Sequence, residues 1–127
     1  MISREKLEGY MHELELSYEQ QGGSIWVVSG NESGLENVVV MMADPVVVLQ
    51  VKVMTVPKKR RAELFEHLLR LNGSEVVHGA YALQGDHVVY IDTLEGESMD
   101  LAEFQASLDA IGVALSQHYH VLAGYRD

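Results

Sequence analysis

The sequence predicts an α+β domain in which helices pack on an antiparallel five-stranded sheet. Apolar side chains recur with helical or strand periodicity in the order α-β-β-β-α-β-β-α. Neighbouring strands lie so close in sequence that hairpins are favoured over parallel crossovers. The chain has 127 residues, of which 47% are apolar. These values suit a single domain over residues 1–127 with a substantial core.

The first helix is predicted over residues 3–21. Ser3 is a suitable N-cap, and Gly22-Gly23 is expected to end the helix. One face carries apolar side chains at three- and four-residue spacing: Leu7, Tyr10, Met11, Leu14 and Tyr18. The opposite face is rich in glutamate, so we expect this helix to be acidic where it meets water.

Three strands are predicted to follow. They cover Ser24–Ser29, Asn37–Ala43 and Val46–Val56. A polar loop, Gly30–Gly34, separates the first two, and Asp44-Pro45 marks a turn between the second and third. Pro57 is expected to stop the third strand because proline has no N–H for the sheet.

The hairpin of the second and third strands is apolar on both faces. A sheet with one wet face alternates apolar and polar residues, but Val38–Met42 and Val46–Leu49 do not alternate. We assign Val39, Met41, Val47 and Leu49 to one face and Val38, Val40, Met42 and Val48 to the other. With only three helices available, a second copy of the chain is the expected cover, and the protein is predicted to be a homodimer.

The rest of the chain predicts two helices and two strands. The helices cover Lys58–Leu71 and Leu101–Tyr119, and the strands cover Val76–Leu83 and His87–Leu94. Asn72-Gly73 is expected to end the first of these helices. Gly85-Asp86 is a hairpin signal between the strands. Asp100 and Glu103 have the spacing of a capping box at the start of the last helix.

Composition excludes several classes of function. The chain has 19 acidic and 9 basic residues and a net charge of −10, which argues against binding to nucleic acid or to anionic membranes. It has no cysteine, so disulfides and thiol chemistry are excluded. The charged start predicts no signal peptide, and no apolar run is long enough to span a bilayer. We expect a cytoplasmic protein.

No catalytic or cofactor motif is present. Gly96–Asp100 begins like a nucleophile elbow but lacks its final glycine, and no phosphate-binding glycine loop occurs. We therefore expect no enzyme activity and no cofactor. The six histidines lack metal-ligand spacing and are interpreted as scattered surface residues. His118, His120 and the acidic residues Asp92, Glu95 and Glu97 are the only support for the alternative, a metal- or small-molecule-sensing domain.

A basic block, Lys58-Lys59-Arg60-Arg61, stands out against the acidic composition. It lies at the predicted start of a helix, where the macrodipole disfavours cations. One interpretation is a solvated first turn. The other is a contact for an acidic surface, such as the acidic first helix of a second subunit.

The element order in a small, acidic, cysteine-free chain resembles the type III secretion chaperone-like (Tir chaperone-like) fold, and within it the YbjN family. The resemblance is carried by Leu68–Gly73, His78–Leu83, Val88–Ile91 and the final amphipathic helix. It covers residues 60–118 best, and the first half matches by element order alone. It implies a cytoplasmic bacterial protein that dimerises and binds other proteins without ATP.

The predicted function is therefore non-enzymatic binding of an extended segment of a client or regulatory protein. The segment is expected to dock around the hairpin, using unpaired strand edges and neighbouring apolar side chains. Methionine suits such a surface because it adapts to varied partners. The predicted contact residues are Met41, Met42, Val46, Val48, Met54, Lys58, Lys59, Arg60 and Arg61. The alternative left open is that the apolar members are core or dimer contacts.

Overall fold

The computed structural model describes residues 1–30, 35–76 and 78–127. The helices are α1 (Arg4–Glu13), α2 (Arg61–Ser74) and α3 (Leu101–Ala123). The strands are β1 (Ser17–Gln20), β2 (Ile25–Ser29), β3 (Val38–Ala43), β4 (Val46–Thr55), β5 (Ala80–Gln84) and β6 (His87–Glu95). They form a six-stranded sheet in the order β1-β2-β3-β4-β6-β5, and the neighbouring strands are antiparallel.

The register of the sheet decides which side chains share a face. Trp26 lies opposite Val40, Val40 opposite Leu49, and Leu49 opposite Asp92. Residues directly opposite one another point to the same side of a sheet. All but Asp92 are fully buried, so this row marks the core face.

The three helices pack against this core face. The Trp26 indole N–H donates to Glu8 of α1 at 2.8 Å, and the Ser107 hydroxyl of α3 donates to Asp92 at 2.7 Å. Helix α2 meets the end of the sheet at β5, where the Asn72 amide bonds both backbone groups of Tyr81. All three helices therefore lie on this one face of the sheet. No helix in the described part of the chain covers the opposite face.

The predicted fold class is confirmed, and the predicted boundaries are close for most strands. The first three predicted strands and β6 start and end within one residue of their predicted positions. The predicted caps also form: Ser3 accepts from the N–H of Lys6 at 3.1 Å, and Asp100 accepts from the N–H of Glu103 at 2.8 Å. Gly85 has φ of 57° in the predicted hairpin turn.

The predicted long first helix is wrong. Helix α1 ends at Glu13, Glu15 has φ of 56°, and the chain returns as β1, a sixth strand paired with β2. Gly22, with φ of 86°, lies in the β1–β2 turn and does not end a helix. Leu14, Leu16 and Tyr18 pack against the core at two-residue spacing, which is a strand pattern.

The boundaries around α2 and β5 also differ from those predicted. Arg60, with φ of 60°, precedes a helix that starts at Arg61 and continues through Asn72-Gly73 to Ser74. Strand β5 begins at Ala80 because Gly79, with φ of 81°, turns the chain close to the Ile91 carbonyl. Helix α3 continues four residues beyond Tyr119, to Ala123. Residues 31–34 of the predicted loop and Val77 of the predicted strand lie outside the described residues.

Candidate protein-binding site

An apolar surface lies on the face of the sheet opposite the helices. Cross-strand pairing places Ile25 beside Met41 and Met41 beside Val48, and it places Val27 beside Val39. These side chains, together with Val46, are half-buried. We call this surface the open face and define it by Ile25, Val27, Val39, Met41, Val46 and Val48. It is bordered by polar residues, among them Glu19, Gln50 and Thr93.

The two predicted faces of the hairpin are assigned incorrectly. Val47 lies opposite Met42, and Leu49 lies opposite Val40, so these four residues share the core face. Val39 and Met41 share the open face with Val48 and Val46. The two-residue turn at Asp44-Pro45 places Ala43 opposite Val46 and so sets this register. The predicted turn therefore held the signal that the assignment of faces missed.

The predicted apolar contact residues are therefore divided between the two faces. Met41, Val46 and Val48 lie on the open face. Met42 packs against the core, and Met54 is 4% exposed, so neither presents its side chain to a partner on the open face. The predicted set omits Ile25, Val27 and Val39, which lie on the open face beside Met41 and Val48. Their alternation with the buried residues Trp26, Val28, Val38 and Val40 is the signal that would have found them.

The predicted use of a free strand edge in the hairpin needs correction. Strand β3 pairs with β2 and β4, and β4 pairs with β3 and β6, so both are interior strands. The edge strands are β1 and β5. The β5 edge is bonded by Asn72 at Tyr81, at 2.8 and 3.1 Å. A partner at the hairpin would thus contact side chains on the open face, not a backbone edge.

The basic block packs beside the end of α3. The Lys58 backbone N–H donates to the Asp127 carboxylate at 3.0 Å. Arg60 donates to Glu63 at 2.8 Å and lies over the Tyr125 ring at 4.6 Å. The ion pair with Glu63 raises the pKa of the Arg60 guanidinium and lowers that of the carboxyl. Arg60 is the N-cap of α2 and Arg61 is its first residue, so both lie at the end of the helix where the dipole disfavours cations.

One histidine is not on the surface, contrary to prediction. His118 is 3% exposed, with Nδ1 2.6 Å from the Tyr81 hydroxyl and Nε2 3.0 Å from the Glu75 carboxylate. With the ring protonated on Nε2, Tyr81 donates to Nδ1 and Nε2–H donates to Glu75. His118 thus joins α3 to β5 and to the residue after α2, and both ring nitrogens are bonded.

This Glu–His–Tyr arrangement is unsuited to nucleophilic chemistry. The Tyr81 side chain is 5% exposed, so its hydroxyl is out of reach of a substrate. Burial also raises the pKa of the Tyr81 hydroxyl, whereas an activated nucleophile needs a lowered pKa or an accessible base. The network is best explained as a structural element of the core.

The stability of the protein is expected to fall at alkaline pH. Burial, with a smaller effect of Asp92, raises the pKa of Tyr90 to about 12, and burial raises that of Tyr81 in the same direction. The unfolded chain would ionise these tyrosines near pH ~10. The contribution of these two neutral tyrosines to stability is therefore fully present below pH ~10, and it is lost as the pH rises toward ~12. Thermal unfolding should show a lower Tm over this window.

The matched test of this effect is Tyr90→Phe, which keeps the ring and removes the titrating group. We expect its Tm to fall less between the two pH values than that of the native chain. Parallel Tm curves for the two proteins would show that Tyr90 does not contribute to the alkaline loss.

The residues proposed for a metal or ligand sensor are not gathered in space. His118 is buried and His120 is exposed. Asp92 accepts from Ser107, and Glu97 pairs with the amino group of Met1. Within residues 1–30, 35–76 and 78–127, no three histidine or acidic residues are grouped as metal ligands. No helix in that part of the chain combines the length and apolar character needed to cross a membrane.

The comparisons with known proteins agree with this geometry. YbjN from E. coli superposes with a TM-score of 0.70 at 14% identity, covering 94% of this chain and 93% of that chain. A chain of the heterodimeric ExoU–SpcU complex, from the type III secretion system of Pseudomonas aeruginosa, gives 0.56 at 13% identity, with coverage of 80% and 78%. A chain of the ExsC–ExsE complex gives 0.56 at 11% identity, with coverage of 96% and 97%.

At these identities the structural likeness establishes the fold. No curated protein sequence matches the chain. The CesT_Tir_1 family model, by contrast, matches residues 2–127, so the match includes all three helices and all six strands. The chain therefore belongs to the CesT_Tir_1 family of type III secretion chaperones and has the YbjN-like, secretion-chaperone fold.

Proposed function

We propose that this protein is a non-enzymatic, cytoplasmic binding module that holds an extended segment of a client or regulatory protein. The open face is the observation that carries the proposal, because it is apolar and no described helix covers it. Family membership supports it, as do the two neighbours solved as complexes, ExoU–SpcU and ExsC–ExsE. Burying apolar surface is the main driving force for such binding, at about 25 cal/mol per Å².

The segment would lie across the open face. The described part of β3 and β4 is paired on both sides, so specificity would come from side chains. Met41 lies at the centre of this surface, between Ile25 and Val48. Its flexible thioether can fit different apolar groups, and the stiff β-branched neighbours supply a fixed shape. An extended chain presents every second side chain to such a surface.

We also propose that the protein is a homodimer. If a partner segment occupies the open face, the contact between copies lies elsewhere, and the outer surfaces of α2 and α3 provide it. Leu69, Val113 and Val121 are 70%, 54% and 44% exposed. A shallow groove of about 610 Å³ runs along α3 between Leu108, Gly112 and Val113. A stable contact would bury ~800 Å² on each copy.

The experiment uses the full chain and a partner identified by capture from its native host. Overlapping synthetic peptides of that partner are titrated by fluorescence anisotropy, without nucleotide, and the complex is weighed by light scattering. We expect one or a few peptides to bind. The protein alone should have twice the subunit mass of 14.1 kDa at micromolar concentration, and the complex should keep that dimer.

Two results would contradict the proposal. A partner that binds intact but through none of its peptides would show that folded structure is recognised, not an extended segment. A subunit mass at micromolar concentration would show that the homodimer does not form.

A further inference from the structure

The basic residues of this acidic protein are gathered at one end of the molecule. Six of the nine lysines and arginines lie around the end of β4, the start of α2 and the end of α3. We call them the basic pole: Lys52, Lys58, Lys59, Arg60, Arg61 and Arg126. All six are exposed. Glu63 and Asp127 contact the pole. The rest of the chain has the other 17 of the 19 acidic residues and only three basic residues, so the charge separation is strong.

Contacts between these elements hold the pole together. Arg60 reaches the Gly124 carbonyl at 3.4 Å, and Lys58 is bonded to Asp127. Arg126 donates to the Val53 carbonyl at 3.4 Å and lies over the Tyr119 ring at 5.6 Å.

Interactions within the protein account for only part of the positive charge of the basic pole. Glu63 neutralises Arg60, and cations near the C-terminus of α3 favour its dipole. In the described part of the chain, no ion pair joins Lys52, Lys59 or Arg126 to a carboxylate. Lys52 projects from a strand and Lys59 precedes α2, so the end of α3 does not explain them. These cations are available to a partner.

An apolar cavity opens within the pole. It has a volume of about 150 Å³, and its lining consists of Val53, Leu115, Tyr119 and Leu122 with Lys52 and Arg126. A cavity of ~150 Å³ holds one benzene-sized group. An apolar side chain entering it would carry its neighbours in sequence past Lys52 and Arg126.

We propose that the basic pole binds an acidic segment of a partner protein, anchored by one apolar or aromatic side chain in this cavity. The inference rests on the proposed function and names the chemistry of the partner. Charge complementarity selects the occupant. A long polyanion such as nucleic acid would meet the acidic surface that begins beyond the pole, whereas a short acidic segment stays within it. Like charges opposed across an interface suppress binding of the wrong partner.

The test uses the full chain and a fluorescein-labelled peptide with glutamates on both sides of one Leu-Phe pair. We expect binding that weakens as salt is added, because the charges are exposed. Lys52→Glu/Arg126→Glu should weaken binding by about tenfold or more, since two attractive contacts become repulsive. The matched control, Lys6→Glu/Arg70→Glu, makes the same change in net charge on α1 and α2 and should stay within about twofold of the native chain.

Several results would overturn the inference. If both variants weaken peptide binding equally, the effect is one of net charge and not of the pole. If a peptide with serines in place of Leu-Phe binds equally well, the cavity does not hold an apolar side chain. If a single-stranded oligonucleotide binds equally well, the pole recognises phosphate groups and not an acidic protein segment. A changed mass of the Lys52→Glu/Arg126→Glu protein alone would identify the occupant as a second copy. If the natural partner binds this variant normally, the inference fails and the proposed function stands.

Discussion

Replacing His118 with alanine is expected to lower the free energy of unfolding by about 3 kcal/mol. The ring is 3% exposed and lies between α3, β5 and the residue after α2. Its removal leaves a cavity in a packed core and a Tyr81 hydroxyl without a partner. Each of these effects costs about 1–3 kcal/mol or more. That is a large share of a typical stability of ~5–15 kcal/mol.

The matched control is His120→Ala, two residues further along the same helix. His120 is exposed, so its replacement should change stability by less than ~0.5 kcal/mol. Urea unfolding at neutral pH compares the two variants with the native chain. Tyr81→Phe should fall between them, because it removes one hydrogen bond without opening a large cavity. Equal stability of the His118 and His120 variants would contradict a structural role for the network.

Local signals predicted most of the fold. The β-branched runs of β2, β3 and β4 are bounded by turn residues, and the turn at Gly85-Asp86 fixes the β5–β6 hairpin. Side-chain caps at Ser3 and Asp100 start two helices where the sequence places them. Each signal depends on residues a few positions apart, so no tertiary information was needed.

The predictions that were wrong concern residues whose structure depends on partners distant in sequence. Residues Leu14, Leu16 and Tyr18 satisfy a strand pattern, while Leu14 and Tyr18 alone also satisfy a helical one. The pairing with β2 decides between them. For His118, the spacing of the α3 core residues Phe104, Leu108 and Ile111, continued toward Leu122, places the ring on the buried face. The sequence held that signal, but a hydrogen-bonded histidine is hard to tell from a surface one.

The candidate site could be predicted only in part for the same reason. An apolar hairpin was evident, but the packing of the helices against Trp26, Val40 and Leu49 decides which of its two faces is the core. The insertion of β4 beside β6, which removes the free edge of the hairpin, joins residues some 40 positions apart. Lys52 and Arg126 meet only in the folded chain.

Replacing Met41 and Val48 together by serine is expected to weaken binding of the partner segment by about tenfold or more. Full burial of an exposed side chain of this size contributes about 1.5–3 kcal/mol. Both side chains are already half-buried in the free protein, so the segment buries only the rest of each, and about 1.4 kcal/mol in total is tenfold in affinity. Both residues are half-buried on the open face and lie opposite each other. The core face is untouched, so circular dichroism and Tm should stay close to those of the native chain.

The matched control is Leu69→Ser/Val113→Ser, which removes two exposed apolar side chains from α2 and α3. The most direct measurement is the affinity of the purified partner segment for both variants, taken together with their masses by light scattering. We predict that Met41→Ser/Val48→Ser keeps the dimer and loses the segment, while Leu69→Ser/Val113→Ser loses the dimer and keeps the segment. If Met41→Ser/Val48→Ser is folded and binds the segment as tightly as the native chain, the open face is not the binding surface.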